Sequence, residues 1–198
     1  MPSPIGHALA GITAAWTADL VPGDRAWRTG PASASWYKRA GNGLTLACGV
    51  LGAAPDLDLL FDAHRTVTHS VTAVAFVALV AAAMAAHADR PVTRVAAMCA
   101  AAYATHLLLD WLGMDTYPPR GIQALWPFSH EWYISDTDLF RETARQKVFS
   151  APSIIKNLQA IVEELAILGP VAVAVWLVRV KALSGLSSDV TRRDQSAQ

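Results

Sequence analysis

Residues 55–70, Pro-Asp-Leu-Asp-Leu-Leu-Phe-Asp-Ala-His-Arg-Thr-Val-Thr-His-Ser, place Asp56, Asp58, Asp62, His64 and His69 together between two apolar runs. Only 16% of the chain is charged, so this crowding of acids and imidazoles needs a physical cause. Carboxylate oxygens and imidazole nitrogens are the usual ligands of zinc, manganese and iron, and such an ion offsets the mutual repulsion of the acids. The plain alternative is a solvated polar turn between two helices. The rest of the chain supplies partners for the first reading. His7 lies near the start, and His106 and Asp110 stand four apart in a later apolar run. On a helix that spacing puts both side chains on one face, able to hold one ion.

These residues must be brought together by the apolar runs. Pro4 to Leu20 reads as a helix closed by Val21-Pro22-Gly23-Asp24, with Pro at its start and Pro-Gly beyond its end. Its Gly11 and alanines suit close packing against another helix. Residues 22 to 42 read as a polar loop with Trp27, Trp36 and Tyr37 at interface-like positions. Gly43 to Leu60 is the second run, Val71 to Ala86 the third and Val92 to Leu112 the fourth. Counted from Val67 to His87, the third has about the length that spans a bilayer. An aromatic and polar segment, 113–153, follows, and Pro152-Ser153 opens a last helix.

Length and composition bound the class. The 198 residues make one domain, expected over 1–183, with a polar, disordered tail over 184–198. Hydrophobic residues reach 53%, and mean hydropathy is +0.30, which points to a membrane. Net charge is zero, so no basic field argues for nucleic acid. Cys48 and Cys99 lie in apolar runs without metal-knuckle spacing and read as small buried side chains. The first run lacks a preceding basic region and reads as a retained helix. The expected fold is all-α: a helical integral membrane protein of about five helices. A soluble all-α bundle is the structural alternative.

If the chain crosses at each of five helices, His7, the 55–70 stretch, His106 and Asp110 all fall on the same side. That agreement predicts a single polar, metal-type site at one end of the bundle. The opposite side then carries Arg25, Arg28, Lys38, Arg39, Arg90, Arg94, Arg179, Lys181, Arg192 and Arg193. The site side carries Arg65, Arg120, Arg141, Arg145, Lys147 and Lys156. The excess of basic residues away from the site places the site on the extracytoplasmic face. Asp56 and Asp58 diverge on a regular helix. They converge only if the chain leaves α-geometry near Pro55.

The set Gly6-His7-(x3)-Gly11, Pro55-Asp56-Leu57-Asp58, His64-Arg65-(x2)-Thr68-His69-Ser70, His106-(x3)-Asp110 and Gly121-(x4)-Trp126-Pro127-Phe128 resembles the YdjM-like family. That family comprises bacterial inner-membrane proteins described as membrane-bound, metal-dependent hydrolases. The resemblance covers roughly residues 4 to 130 and implies a helical membrane protein with a metal-dependent hydrolase site. His7, Asp56, Asp58, His64, His69, His106 and Asp110 match the family's polar motif positions.

The expected metal ligands are His7, Asp58, His69, His106 and Asp110, with Asp56 and His64 bridging or serving a second ion. These candidates exceed the three or four protein ligands of one catalytic zinc, so one or two ions fit, zinc first, then manganese or iron. Asp56, His64 and Arg65 are the expected catalytic residues: a spare carboxylate or imidazole as base, and the arginine fork as a clamp on phosphate or carboxylate. An ion pair to Asp62 or a lipid headgroup is the alternative role for Arg65. Thr68 reads as a helix cap. The expected activity is hydrolysis of a phosphoester or lipid-like substrate at the membrane surface by metal-activated water, with membrane lipids as partners and no nucleic acid. The competing readings are a non-catalytic metal-binding scaffold or transporter, and a bundle whose acids and histidines merely satisfy one another.

Overall fold

A computed structural model describes residues 1–18, 20, 41–61, 65–144 and 147–196. Among these are five α-helices: α1 (Pro4–Ala18), α2 (Gly43–Ala53), α3 (Val71–His87), α4 (Val92–Leu112) and α5 (Ala151–Ser196). The described residues add two 3₁₀ segments, Ala54–Phe61 and Val67–His69, and two isolated β-bridges but no strand. The all-helical expectation holds, and most of the boundaries read from the apolar runs hold with it. The loop expected over residues 22 to 42 lies almost wholly outside the described residues.

Local chemistry explains each start. Ser3 caps α1, its Oγ accepting from the Gly6 N–H at 3.2 Å, with Pro4 next in the chain, where a missing N–H costs nothing. Asn42 and Thr45 form a reciprocal capping box at α2. Ser70 rather than Thr68 caps α3, accepting from the Ala73 N–H at 3.1 Å. The cap at Ser70 moves the start of α3 to Val71, because residues 67–69 are spent in a 3₁₀ turn that presents His69.

Helices α1, α2 and α4 pack around one another through small residues. A Cβ on Gly11 would collide with the Cys48 carbonyl, and one on Gly52 with the His7 carbonyl. Only glycine lets these two backbones approach so closely, the device by which helices associate tightly in lipid. Ala15, Cys48, Met98, Cys99 and Ala102 fill the core below that crossing. Beyond Ala53 the chain tightens into the 3₁₀ segment that begins at Ala54 and contains Pro55, so α2 ends there.

About five helices, some tilted or interfacial, were expected, and five are found. Among the described residues two are long and apolar enough to cross a membrane, Val92–Leu112 and the Ala151–Ala182 part of α5. Helices α1, α2 and α3 have 15, 11 and 17 residues, below the ~20 that span a bilayer. The chain spends the difference on the 3₁₀ segments that carry polar residues. Helix α5 also continues to Ser196, through most of the segment expected as a tail, with no proline after Pro170 to stop it.

Residues 113–144 fold back over the end of α4 and the start of α5. Glu142 anchors them, accepting from the Thr116 N–H at 2.9 Å and from Lys156 Nζ at 2.6 Å. Burial pushes the Glu142 carboxyl up, but the Lys156 ammonium and the Thr116 donors outweigh it and hold it at about 2, against 4.5. A depressed carboxylate stabilises the fold above its unfolded value and loses that contribution as pH falls toward the folded one. Detergent-solubilised protein should therefore lose thermal stability between about pH 4.5 and 2, and Glu142→Gln should be less stable at neutral pH but flatter across that window. Identical acid profiles for the two proteins would refute this anchoring role.

Candidate metal centre

Four side chains from three elements converge. Asp56 comes from the 3₁₀ segment after α2, His69 from the turn before α3, and His106 and Asp110 from the last two turns of α4. One ligand atom from each lies within 4.8 Å of every other. His69, His106 and Asp110 have no solvent exposure, and only Asp56 is partly open.

The distances resemble those of a coordination shell. His69 Nε2 and His106 Nε2 are 3.1 Å apart. Asp110 Oδ2 is 3.3 Å from the first and 3.2 Å from the second. Asp56 Oδ1 stands 3.8 Å from His69 Nε2 and 3.6 Å from His106 Nε2. Ligands about 2.0–2.2 Å from a tetrahedral zinc are separated by about 3.3–3.6 Å; His69, His106 and Asp110 stand at or slightly inside that spacing, and Asp56 at or slightly beyond it.

The outer nitrogens settle which ring atoms face inward. His106 Nδ1 lies 2.8 Å from the Gly52 carbonyl, an acceptor only, so Nδ1 carries the proton and Nε2 offers a lone pair to the centre. The Gly11–Gly52 crossing thus also delivers the carbonyl that orients His106. His69 Nδ1 faces Asp58 Oδ2 at 3.1 Å, with Thr68 Oγ1 at 3.0 Å. Such carboxylate–imidazole pairs fix ring orientation and raise ligand basicity in metal sites.

Three carboxylates gather positive charge around His69. Burial pushes the His69 imidazole down, but the Asp110, Asp56 and Asp58 carboxylates override it and hold it well above its usual value. Burial pushes the Asp56 carboxyl up, and the His69 and His106 rings outweigh that and hold it down. Both Asp110 oxygens are buried without a hydrogen-bond partner of good geometry, as are both ring nitrogens of His7. A buried carboxylate left this way costs several kcal/mol unless positive charge stands beside it, which a protonated His69 or a bound ion could supply. The group could hold a metal ion.

His7 belongs to the assembly but not to the four. Its ring stacks on His106 with centroids 3.7 Å apart, and its Nε2 lies 3.3 Å from Asp110 Oδ1. Asp58, expected as a ligand, stands outside: its Oδ2 accepts from the Arg65 N–H at 3.1 Å and the Thr68 hydroxyl at 2.5 Å while facing His69. The 3₁₀ geometry lets Asp56 reach the centre and gives Asp58 to the ligand turn. Arg65, expected as a substrate clamp, is buried in an ion pair with Asp115 and donates to the Tyr117 carbonyl at 3.3 Å. That partner was missed in the sequence, and Asp115 also accepts from the Gly121 N–H at 2.8 Å. The pair clasps the 113–144 segment to the ligand turn. His64 and Asp62 lie outside the described residues. His87 and His130 are exposed, away from the four.

Fold and site together define an all-helical protein with a buried His/Asp group of metal-ligand chemistry. The profile described as YdjM inner membrane protein matches residues 1–183, and the chain belongs to that family. No curated protein and no solved structure matches it. The family, with two helices apolar and long enough to cross, makes this a membrane protein. The exposed apolar side chains of α3 and α5, Phe76, Leu79, Met84, Leu158, Val162 and Leu165 among them, have the character of a lipid-facing surface.

The geometry around His69 generates a prediction. If the group holds a divalent ion, Asp58→Ala frees the ring to turn or change tautomer and should weaken its binding about 10–100-fold, measured by chelator competition in detergent. Unchanged affinity would mean that Asp58 does not orient the ligand.

Proposed function

We propose that this protein is a membrane-bound, metal-dependent hydrolase. Its His69, His106 and Asp110 hold a divalent ion, zinc by preference and manganese or iron by the same donors. One observation carries the reading: two buried imidazole Nε2 atoms 3.1 Å apart, both facing the same Asp110 oxygen. A shared cation would face all of those atoms at once, which supports the reading.

A divalent ion in that position would polarise a substrate oxygen and make a bound water acidic near neutral pH. The protein's own groups do the rest. His69 and His106 present their Nε2 lone pairs because Asp58 and the Gly52 carbonyl hold their outer nitrogens. Asp56 sits at longer range than the other three and is the one partly exposed member. It is therefore the carboxylate placed to take a proton from water at the open side. Three close protein ligands with one open position is the catalytic pattern for zinc. His64, five residues before His69, is retained as a second candidate base from its place in the sequence.

Arg65 has a structural role in this reading, since Asp115 already holds its guanidinium. A phosphoester or lipid-like substrate remains the preferred class, because a divalent ion suits phosphoryl oxygens and the membrane supplies lipid beside the site. In this reading the chain is multi-pass, and the distribution of Lys and Arg puts the site on the extracytoplasmic face. One observation favours a second reading. Complete burial of His69, His106 and Asp110 also suits a closed structural metal site.

Purified protein should contain near-stoichiometric zinc and hydrolyse members of a panel of aryl phosphoesters and vesicle phospholipids. His69→Ala and Asp110→Ala should lose both metal and at least about 100-fold in rate. Bound zinc with no turnover across the panel would select the structural reading. Protein that stays metal-free in added zinc, manganese and iron would sink both.

A further inference from the structure

Helix α5 carries one carboxylate that its surroundings do not explain. Its neighbours Val162 and Leu165 face outward, yet Glu164 is fully buried in the middle of an apolar helix. Buried ionisable groups in such segments are costly and are kept for a task. Glu164 reaches the start of α1, where its Oε1 accepts from the Ser3 N–H at 2.6 Å and its Oε2 accepts from the Ser3 hydroxyl.

The pattern is that of a capping box with one member replaced. In the usual box an N-cap serine bonds the backbone N–H three residues on, and a Glu at that third position reaches back to the serine N–H. Here Ser3 bonds the Gly6 N–H at 3.2 Å, but the third position is glycine and has no side chain to reach back. Glu164 occupies that space instead: a Cβ on Gly6 would stand 2.5 Å from its Oε2. The carboxylate also lies at the positive end of the α1 dipole, where a negative charge is favoured.

We infer that Glu164 completes the α1 cap from the far end of the chain and acts as the positioning residue for His7. His7 follows Gly6 directly, and its backbone N–H donates to the Ser3 carbonyl at 3.1 Å. Fixing Ser3 and Gly6 therefore fixes the turn that lays the His7 ring on His106 beside Asp110. The sequence Ser3-Pro4-Ile5-Gly6-His7 and the distant Glu164 form one unit: cap, space for the carboxylate, and histidine. The consequence for metal binding rests on the proposed function; the cap itself does not.

The test compares wild type, Glu164→Leu, Glu164→Gln, His7→Ala and the His7→Ala/Glu164→Leu double variant in detergent. Amide hydrogen exchange over residues 4–10 of metal-free protein reads the cap. In Glu164→Leu it should quicken by about tenfold or more, while Glu164→Gln, which keeps one acceptor for the Ser3 N–H, should stay within about threefold of wild type. Zinc affinity reads the consequence. Glu164→Leu should weaken it about tenfold in the wild-type background and not further in the His7→Ala background. Unchanged exchange in Glu164→Leu, or the same loss of affinity in both backgrounds, would overturn the assignment. Quickened exchange in a protein that binds no zinc would uphold the cap and remove the metal reading.

Discussion

The Asp110 carboxylate is the constraint on which the structure turns. It is fully buried at the end of an apolar helix, with His7 at one oxygen and His69 and His106 at the other. A lone carboxylate in such a place is untenable, since desolvating it costs several kcal/mol after relaxation. Three imidazole rings stand around it. The α1–α2 crossing brings His7 and the Gly52 carbonyl, the 3₁₀ turn brings His69, and α4 supplies His106 one turn earlier.

That arrangement needs close backbones before it needs ligands. Gly11 and Gly52 let α1 and α2 approach until neither could carry a Cβ. The same contact sets the distance between the Gly52 carbonyl and His106 Nδ1. Packing and ligand orientation are here one interaction. Outside this centre, two further carboxylates hold the frame: Asp115 ties Arg65 to the 113–144 segment, and Glu164 ties α5 to the start of α1.

Much of this was legible in the residues. The α3 and α4 boundaries followed from apolar runs set off by Asp89-Arg90-Pro91 and Gly113, and the convergence of His69, His106, Asp110 and Asp56 followed from which helix ends they occupy. The break at Pro55 was anticipated, but a 3₁₀ segment puts Asp56 and Asp58 at different depths, which spacing alone does not reveal. Partners far apart in sequence were the other gap. Arg65 to Asp115 spans 50 residues and Ser3 to Glu164 spans 161, so no local pattern announces either. The five helices were legible, but apolar composition does not show where residues are diverted into turns, which leaves α1, α2 and α3 shorter than a bilayer span.

X-ray absorption at the zinc edge of the reconstituted protein tests the central claim most directly. The account predicts a shell of nitrogen and oxygen only, at about 2.0–2.2 Å, with the multiple scattering of two imidazoles that disappears stepwise in His69→Ala and His106→Ala. A sulfur shell near 2.3 Å, or an imidazole signal indifferent to both substitutions, would place the metal elsewhere and contradict it.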